Sequence, residues 1–276
     1  MTGVSGNNIV GFYEDATGEH GFVYNGSSYT ILDAPSAAFT EIWGISGNNM
    51  AIRASTGSFL YDGTTYTPIS NPQATGVTVI RGVSGNNALG TYQDNTGNHG
   101  FLYDGSSYTA IDVPSAITTT PYAMSGNIIV GSYMKGDGST HGFFYNGSSY
   151  TTIDPSVAGG SFLVGITGIQ DNLLVGIYST ADETAHGFLY DGNTFTTIDH
   201  PLAGTGVVIS GNAQIETGTG ILGIDGNTLV GSFVGSDGIS HGFVTVLPEP
   251  SPATLLGLGI LLLALAIRLP KMRKCS

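Results

Sequence analysis

The chain has 276 residues, of which only 10% are charged, 43 are glycine and one is cysteine, and its formal net charge is −13. Residues 1–247 hold three basic residues, Arg53, Arg81 and Lys135, against 19 acidic ones, a net of −16, which argues against a body that grips nucleic acid or an anionic lipid surface. Cys275, the single cysteine, comes after the last apolar run, so the body ahead of it has no disulfide to make.

The first fifteen residues, MTGVSGNNIVGFYED, carry neither a basic n-region nor an apolar h-region. Because the rest of the chain reads as exported, the expectation here is a truncated or misplaced start. From Ser5 onward the sequence repeats: residues 5–37 match residues 84–116 at 22 of 33 positions. Corresponding starts fall at Ser5, Ser46, Ser84, Ser125, Gln170 and Asp225, a period near 40 residues that signals stacked or radial units.

Within a unit no apolar residues recur at helical spacing, whereas short segments rich in Val, Ile, Tyr, Phe and Thr alternate with Gly, Asn, Asp and Ser clusters. Four strands are predicted per unit. The first resembles EIWGI (Glu41 to Ile45) and passes through a Ser-Gly-Asn turn into a second such as NIIVGSY (Asn127 to Tyr133). A variable polar loop precedes the third, HGFLYDG, and the fourth is SYTAID. The last two are joined at Asn25-Gly26, Asp62-Gly63, Asp104-Gly105, Asn146-Gly147 and Asp191-Gly192, pairs suited to the left-handed backbone of a two-residue hairpin turn. The fold class expected is all-β: a β-propeller of about six four-stranded blades over residues 1–245, the last incomplete, with a β-solenoid as the alternative. Only Met1 to Val4 precede the first turn, so no strand is offered to complete the last blade, and an open or gapped ring is expected.

A recurring His-Gly-Phe triplet at His20, His99, His141, His186 and His241, replaced by Gly57-Ser58-Phe59 in the second unit, stands ahead of the LYDG-like turn. These units resemble the extracellular HAF family, named for a His-Ala-Phe triplet in that place, with Gly standing for the family's Ala. The resemblance implies an exported repeat protein without assigned chemistry.

Five regular histidines invite a metal reading, but equivalent residues on third strands diverge from a propeller axis, and zinc needs three or four ligands within about 2.3 Å. They read as structural, each donating a hydrogen bond to a neighbouring loop, while His200 beside Pro201 reads as loop. The loops ahead of the histidines carry acids, including Glu14, Asp15, Glu19, Asp94, Asp137, Asp182, Glu183 and Asp237, which would offer oxygens to calcium, yet no EF-hand or glycine-rich nonapeptide order is present. Turn formation explains them equally well, so no cofactor is assigned and bound calcium stays an open alternative. Gly218, Gly220 and Gly223 fit G-x-G-x-x-G, but the residues after them, GIDGNTLVGSF, read as turn and strand rather than the helix a dinucleotide site needs. Predicted inner strands supply Glu41 and Arg81 alone, and one carboxylate cannot form the acid and base pair of a glycosidase. Trp43 and Tyr122 are candidates for stacking on sugars or for packing between blades.

The tail joins three signals: Pro248, Glu249 and Pro250; an uncharged apolar run from Ala253 to Ile267; and a basic end with Arg268, Lys271, Arg273 and Lys274. The prolines keep residues 246–252 extended as a linker. Residues 253–269 as a helix reach roughly 25 Å, enough to span a bilayer with snorkelling at the ends, and the cationic residues 270–276 belong on the cytoplasmic side. This order resembles the PEP-CTERM sorting signal of Gram-negative bacterial exported proteins, which implies recognition and shortening by an intramembrane exosortase; a plain tail anchor is the alternative.

The expectation is therefore an exported, non-enzymatic repeat protein of the cell surface or extracellular matrix. It is held first by the C-terminal transmembrane helix, is sorted through Pro248, Glu249 and Pro250, and acts as a binding or structural module for polysaccharide or surface proteins. The alternative is an exported propeller hydrolase acting on polysaccharide. No catalytic, cofactor-binding or metal residue is assigned.

Overall fold

The computed structural model describes residues 1–156, 163–210 and 213–247. Pro248, Glu249 and Pro250, the apolar run 253–269 and the basic residues Arg268, Lys271, Arg273 and Lys274 lie outside the described residues. Those described contain 25 strands and no helix, hence none long and apolar enough to cross a membrane.

Each repeat forms one blade. The inner strands are Gly3–Ser5, Thr40–Ser46, Thr78–Ser84, Thr118–Ser125, Leu163–Gln170 and Gly218–Asp225, and in every blade the next strands add outward in chain order, antiparallel. Blades 1 to 5 have four strands, and blade 6 has three among the described residues, ending with Ser240–Val246. The longer spacing before blade 6 holds an additional hairpin, Val207–Ser210 with Ala213–Glu216. The predicted repeat starts coincide with the last residue of each inner strand.

The core is six separate clusters, one at each blade interface, rather than a single centre. A fully buried residue of the second strand, Val10, Ala51, Leu89, Val130, Val175 or Val230, packs in each case against the following blade. Phe101, Phe143 and Phe188 of the His-Gly-Phe triplets fill three of these interfaces. The triplet glycine is required there: a Cβ on Gly142 would stand 2.5 Å from the Ile153 carbonyl and 2.9 Å from Ile166 of the next blade.

Among the described residues no strand from blade 1 pairs into blade 6, as an open ring implies, but blades 6 and 1 are packed together, contrary to the gap expected. Val230 of blade 6 packs against Val4 and Ile9 of blade 1 as its equivalents do elsewhere. A hydrogen bond from the Gly6 amide to Asp225 repeats the pattern by which Gly47 donates to Ser5 Oγ (3.0 Å) and Gly85 to Ser46 Oγ (3.0 Å). Closure therefore rests on side-chain packing between sheet faces, which strand counting does not reveal.

The outer hairpin turns are also shifted from expectation. Asn25 donates its amide to Ser28 and its Oδ1 accepts from the amides of Ser27 and Ser28, so the central pair is Gly26-Ser27 and not Asn25-Gly26. Of these only Gly26 has positive φ, +93°, as at the first central position of a II′ turn. Asn and Asp here act through their side chains.

Candidate functional site

Five inner strands carry a β-bulge at the same place, after Ile42, Ile80, Pro121, Ile166 and Ile221. A bulge leaves one residue out of the ladder and turns its side chain. The residues so released are Trp43, Arg81, Tyr122, Thr167 and Leu222, with Thr2 in the corresponding place ahead of the inner strand of blade 1, and all six line a central cavity of about 520 Å³. The next position is small in every blade: Gly3, Gly44, Gly82, Ala123, Gly168 and Gly223. There the inner strands pass backbone to backbone; a Cβ on Gly82 would meet the Tyr122 carbonyl oxygen at 2.0 Å, and one on Gly223 would stand 3.4 Å from the Gly3 Cα. A ring of small residues thus supports a ring of unlike ones.

The unlike ring is lopsided. Adjacent blades 2, 3 and 4 present Trp43, Arg81 and Tyr122, and the others present Thr167, Leu222 and Thr2. The hydroxyls of Thr167 and Thr2 are engaged, donating to the carbonyls of Ile221 and Ile42 of the following blades. Trp43 is enclosed, with Phe12 at 5.6 Å on one side and the Arg81 guanidinium 5.2 Å from its ring centroid. Its Nε1–H donates to Glu41 at 2.9 Å. Of the two roles considered for Trp43, packing between blades is what these contacts show, and the same ring also lines the cavity.

Glu41 corrects the sequence reading. It is buried, does not line the cavity, and its Oε2 accepts from Arg53 Nη1 at 2.7 Å as well as from Trp43. The carboxylate that does line the cavity is Asp225, which lies at the closing contact with Gly6. Among the described residues the cavity thus has one carboxylate and no acid and base pair. Asp225 stands at the end of the last inner strand, where the repeat pattern marks it only as a unit boundary.

Four of the five triplet histidines, each on the third strand of its blade, make the structural hydrogen bonds expected of them. His20 Nδ1–H donates to Asp33 at 2.8 Å, and the pattern recurs at His99 with Asp112 (3.0 Å), His141 with Asp154 (2.6 Å) and His186 with Asp199 (2.9 Å). The aspartate lies just beyond the end of the outer strand, so each clasp ties the third strand to the chain leaving the blade. The other ring nitrogen, Nε2, meets a loop hydroxyl: Thr17 (2.8 Å), Thr96 (2.8 Å), Ser139 (2.8 Å) and Thr180 (3.3 Å). Those hydroxyls donate in turn to the loop acids Asp15, Asp94, Asp137 and Asp182. The Asp33 hydrogen bond, opposed by desolvation and aided by the charges of Asp33 and Asp15, raises the His20 pKa above its ordinary value. Hydrogen bonds from Thr17 and Thr96 hold the Asp15 and Asp94 carboxyls below the usual range. The loop acids thus act as turn formers, and no group of three or more His, Cys, Asp or Glu side chains set to hold a metal occurs among the described residues. The constant Asp thirteen residues after each of these four histidines is the signal in the sequence. His200, expected as loop, is so placed and stacks on Phe233 at 3.9 Å.

No protein-family model and no curated protein matches the chain. Among solved structures it is similar to TolB from Acinetobacter baumannii, at 12% identity and a TM-score of 0.53, covering 89% of this chain and 66% of TolB. It is also similar to the β-propeller domain of the trilobed protease from Pyrococcus furiosus, described as having an open velcro topology, at 8% identity and a TM-score of 0.51, covering 91% of this chain and 81% of that one. A looser likeness, TM-score 0.44 at 14% identity, is to the six-bladed fucose-binding lectin of Aleuria aurantia, covering 91% and 96% of the two chains. The first two likenesses establish the propeller fold and nothing of its chemistry.

Proposed function

We propose that this protein is an exported, non-enzymatic binding module of the bacterial cell surface or extracellular matrix, and that its ligand is a polysaccharide unit held at the central cavity. One observation carries the reading: the blades repeat their turns, clasps and interfaces, yet at the bulge facing the shared cavity all but two of the residues differ from blade to blade. Repetition there would suit a scaffold alone, whereas unlike side chains converging on one cavity suit selective binding. The single cavity carboxylate among the described residues and the neutralisation of Glu41 by Arg53 weigh against the hydrolase alternative.

Delivery is proposed to follow the tail. Pro248, Glu249 and Pro250, the apolar residues 253–269 and the basic Arg268, Lys271, Arg273 and Lys274 support membrane insertion with the body outside the cytoplasm, then shortening by an exosortase. The test has two arms. A polysaccharide array run beside a screen of glycosidic, ester and phosphate substrates should give binding without turnover, and turnover lost on changing Asp225 would overthrow the reading. Mass spectrometry of the mature surface protein should show a chain ending near Pro248; recovery of intact Cys275 would indicate simple anchoring.

A further inference from the structure

Arg81 is the residue of the cavity least accounted for by the fold. Its side chain makes no hydrogen bond and no ion pair among the described residues, and its Nε is buried without a partner. The guanidinium lies over the face of Trp43, 5.2 Å away, and Trp43 is itself fixed by Glu41 and Phe12. The other arginine of the body, Arg53, is bound to Glu41. A guanidinium carries five N–H donors in a planar fork that matches a carboxylate two bonds at a time. In a body of net charge −16 an arginine has many carboxylates available, and the bulge presents this one to the cavity instead.

The surroundings narrow the ligand. Tyr122 stands on the next blade, and Leu222 supplies an apolar surface from the other side of the ring. Asp225, the cavity carboxylate, is three residues beyond its bulge, about 10 Å further along the strand, and is held by the Gly6 amide. The level of Arg81 is therefore cationic, aromatic and partly apolar, and the two threonine hydroxyls at that level are already engaged with backbone carbonyls.

We infer that the cavity takes a carboxylate-bearing sugar, a hexuronate unit of an acidic polysaccharide, with its carboxylate on the Arg81 guanidinium and its ring between Tyr122 and Leu222. The assignment rests on the saccharide reading above and deepens it. A volume of about 520 Å³ is within the range of small-ligand sites.

Trp43 is the only tryptophan of the chain, so its emission reports on this cavity directly. The full chain in detergent is titrated with a galacturonate dimer, with the neutral galactose dimer and with a glutamate dipeptide. The expected result is a saturable change with the galacturonate dimer alone, weakened by added salt, and a Kd raised about tenfold or more by Arg81→Gln with the melting temperature unchanged. Arg81→Lys, which keeps the charge and loses the fork, should fall between, and serves if the glutamine variant does not fold. Equal binding of acidic and neutral dimers would overturn the carboxylate assignment while leaving the saccharide reading intact. A response to the dipeptide alone would overturn both, and silence toward all three would overturn the hexuronate assignment, leaving the array to decide on neutral polysaccharides.

Discussion

Closure of the ring between blades 6 and 1 gives a sharp prediction, because the same buried position occurs at every interface. Val230 and Val130 are both fully buried at equivalent points of their second strands, Val230 against Val4 and Ile9, and Val130 against the cluster containing Val164 and Ile166. Truncation to alanine removes two carbons, about 1.6 kcal/mol of transfer free energy at ~0.8 kcal/mol per methylene equivalent, and the residual cavity brings the cost to about 2–3 kcal/mol. With a urea slope of about 2–3 kcal/mol/M, each variant should lower the unfolding midpoint by about 1 M. Equilibrium urea unfolding of Val230→Ala and Val130→Ala, followed by Trp43 fluorescence and far-UV circular dichroism, compares them directly. If the ring is closed by packing, the two midpoints fall together. A Val230→Ala variant within about 0.5 kcal/mol of the parent, beside a Val130→Ala variant that loses the full amount, would refute closure and restore the open ring.

Three further outcomes are expected. Gly82→Ala places a Cβ 2.0 Å from a backbone oxygen that cannot swing away, and should cost about 3 kcal/mol or more by thermal unfolding, whereas Gly136→Ala, with open space around it, should be close to neutral. Asp112→Ala removes both the His99 partner and the acceptor of the buried Gly100 amide (3.1 Å), so hydrogen exchange at Gly100 should quicken and stability fall by about 1 kcal/mol; unchanged exchange would show the clasp to be idle. For pH, the lowered Asp15, Asp62, Asp94, Asp137, Asp182 and Asp191 carboxyls contribute stability that is present above about 3.9 and lost as pH falls through their folded values. The raised His20 contributes stability present below about 6.5 and lost as pH rises through its folded value, so melting temperature should be highest between about pH 4.5 and 6.5, and Asp33→Asn should flatten the alkaline side.

The repeat, the strands and the blade were legible in the sequence because they are local: alternation, turn residues and a 40-residue period act within a few neighbours. The dismissal of Gly218, Gly220 and Gly223 as a nucleotide loop also rests on that locality, since Gly218–Asp225 is a strand. The clasp was half legible, as the histidine was seen and its aspartate thirteen residues on was not. Trp43, Tyr122 and Arg81 stand out in the sequence, but that they share one ring with Thr167, Leu222 and Thr2 does not. That depends on a bulge in each inner strand, and a bulge shifts which side chains face the axis without leaving a mark in composition.

The sequence by itself thus determined an acidic chain of tandem β units with a single cysteine and an apolar run near its C-terminal end flanked by prolines and basic residues, because charge, period and turn chemistry are properties of short stretches. Only the tertiary structure decided that blade 6 meets blade 1, that Glu41 faces Arg53 while Asp225 faces the cavity, and that Arg81 stands there without a carboxylate partner among the described residues. Each of these is a meeting of residues from different strands or blades, as far apart as Gly6 and Asp225, set by how sheet faces pack around an axis.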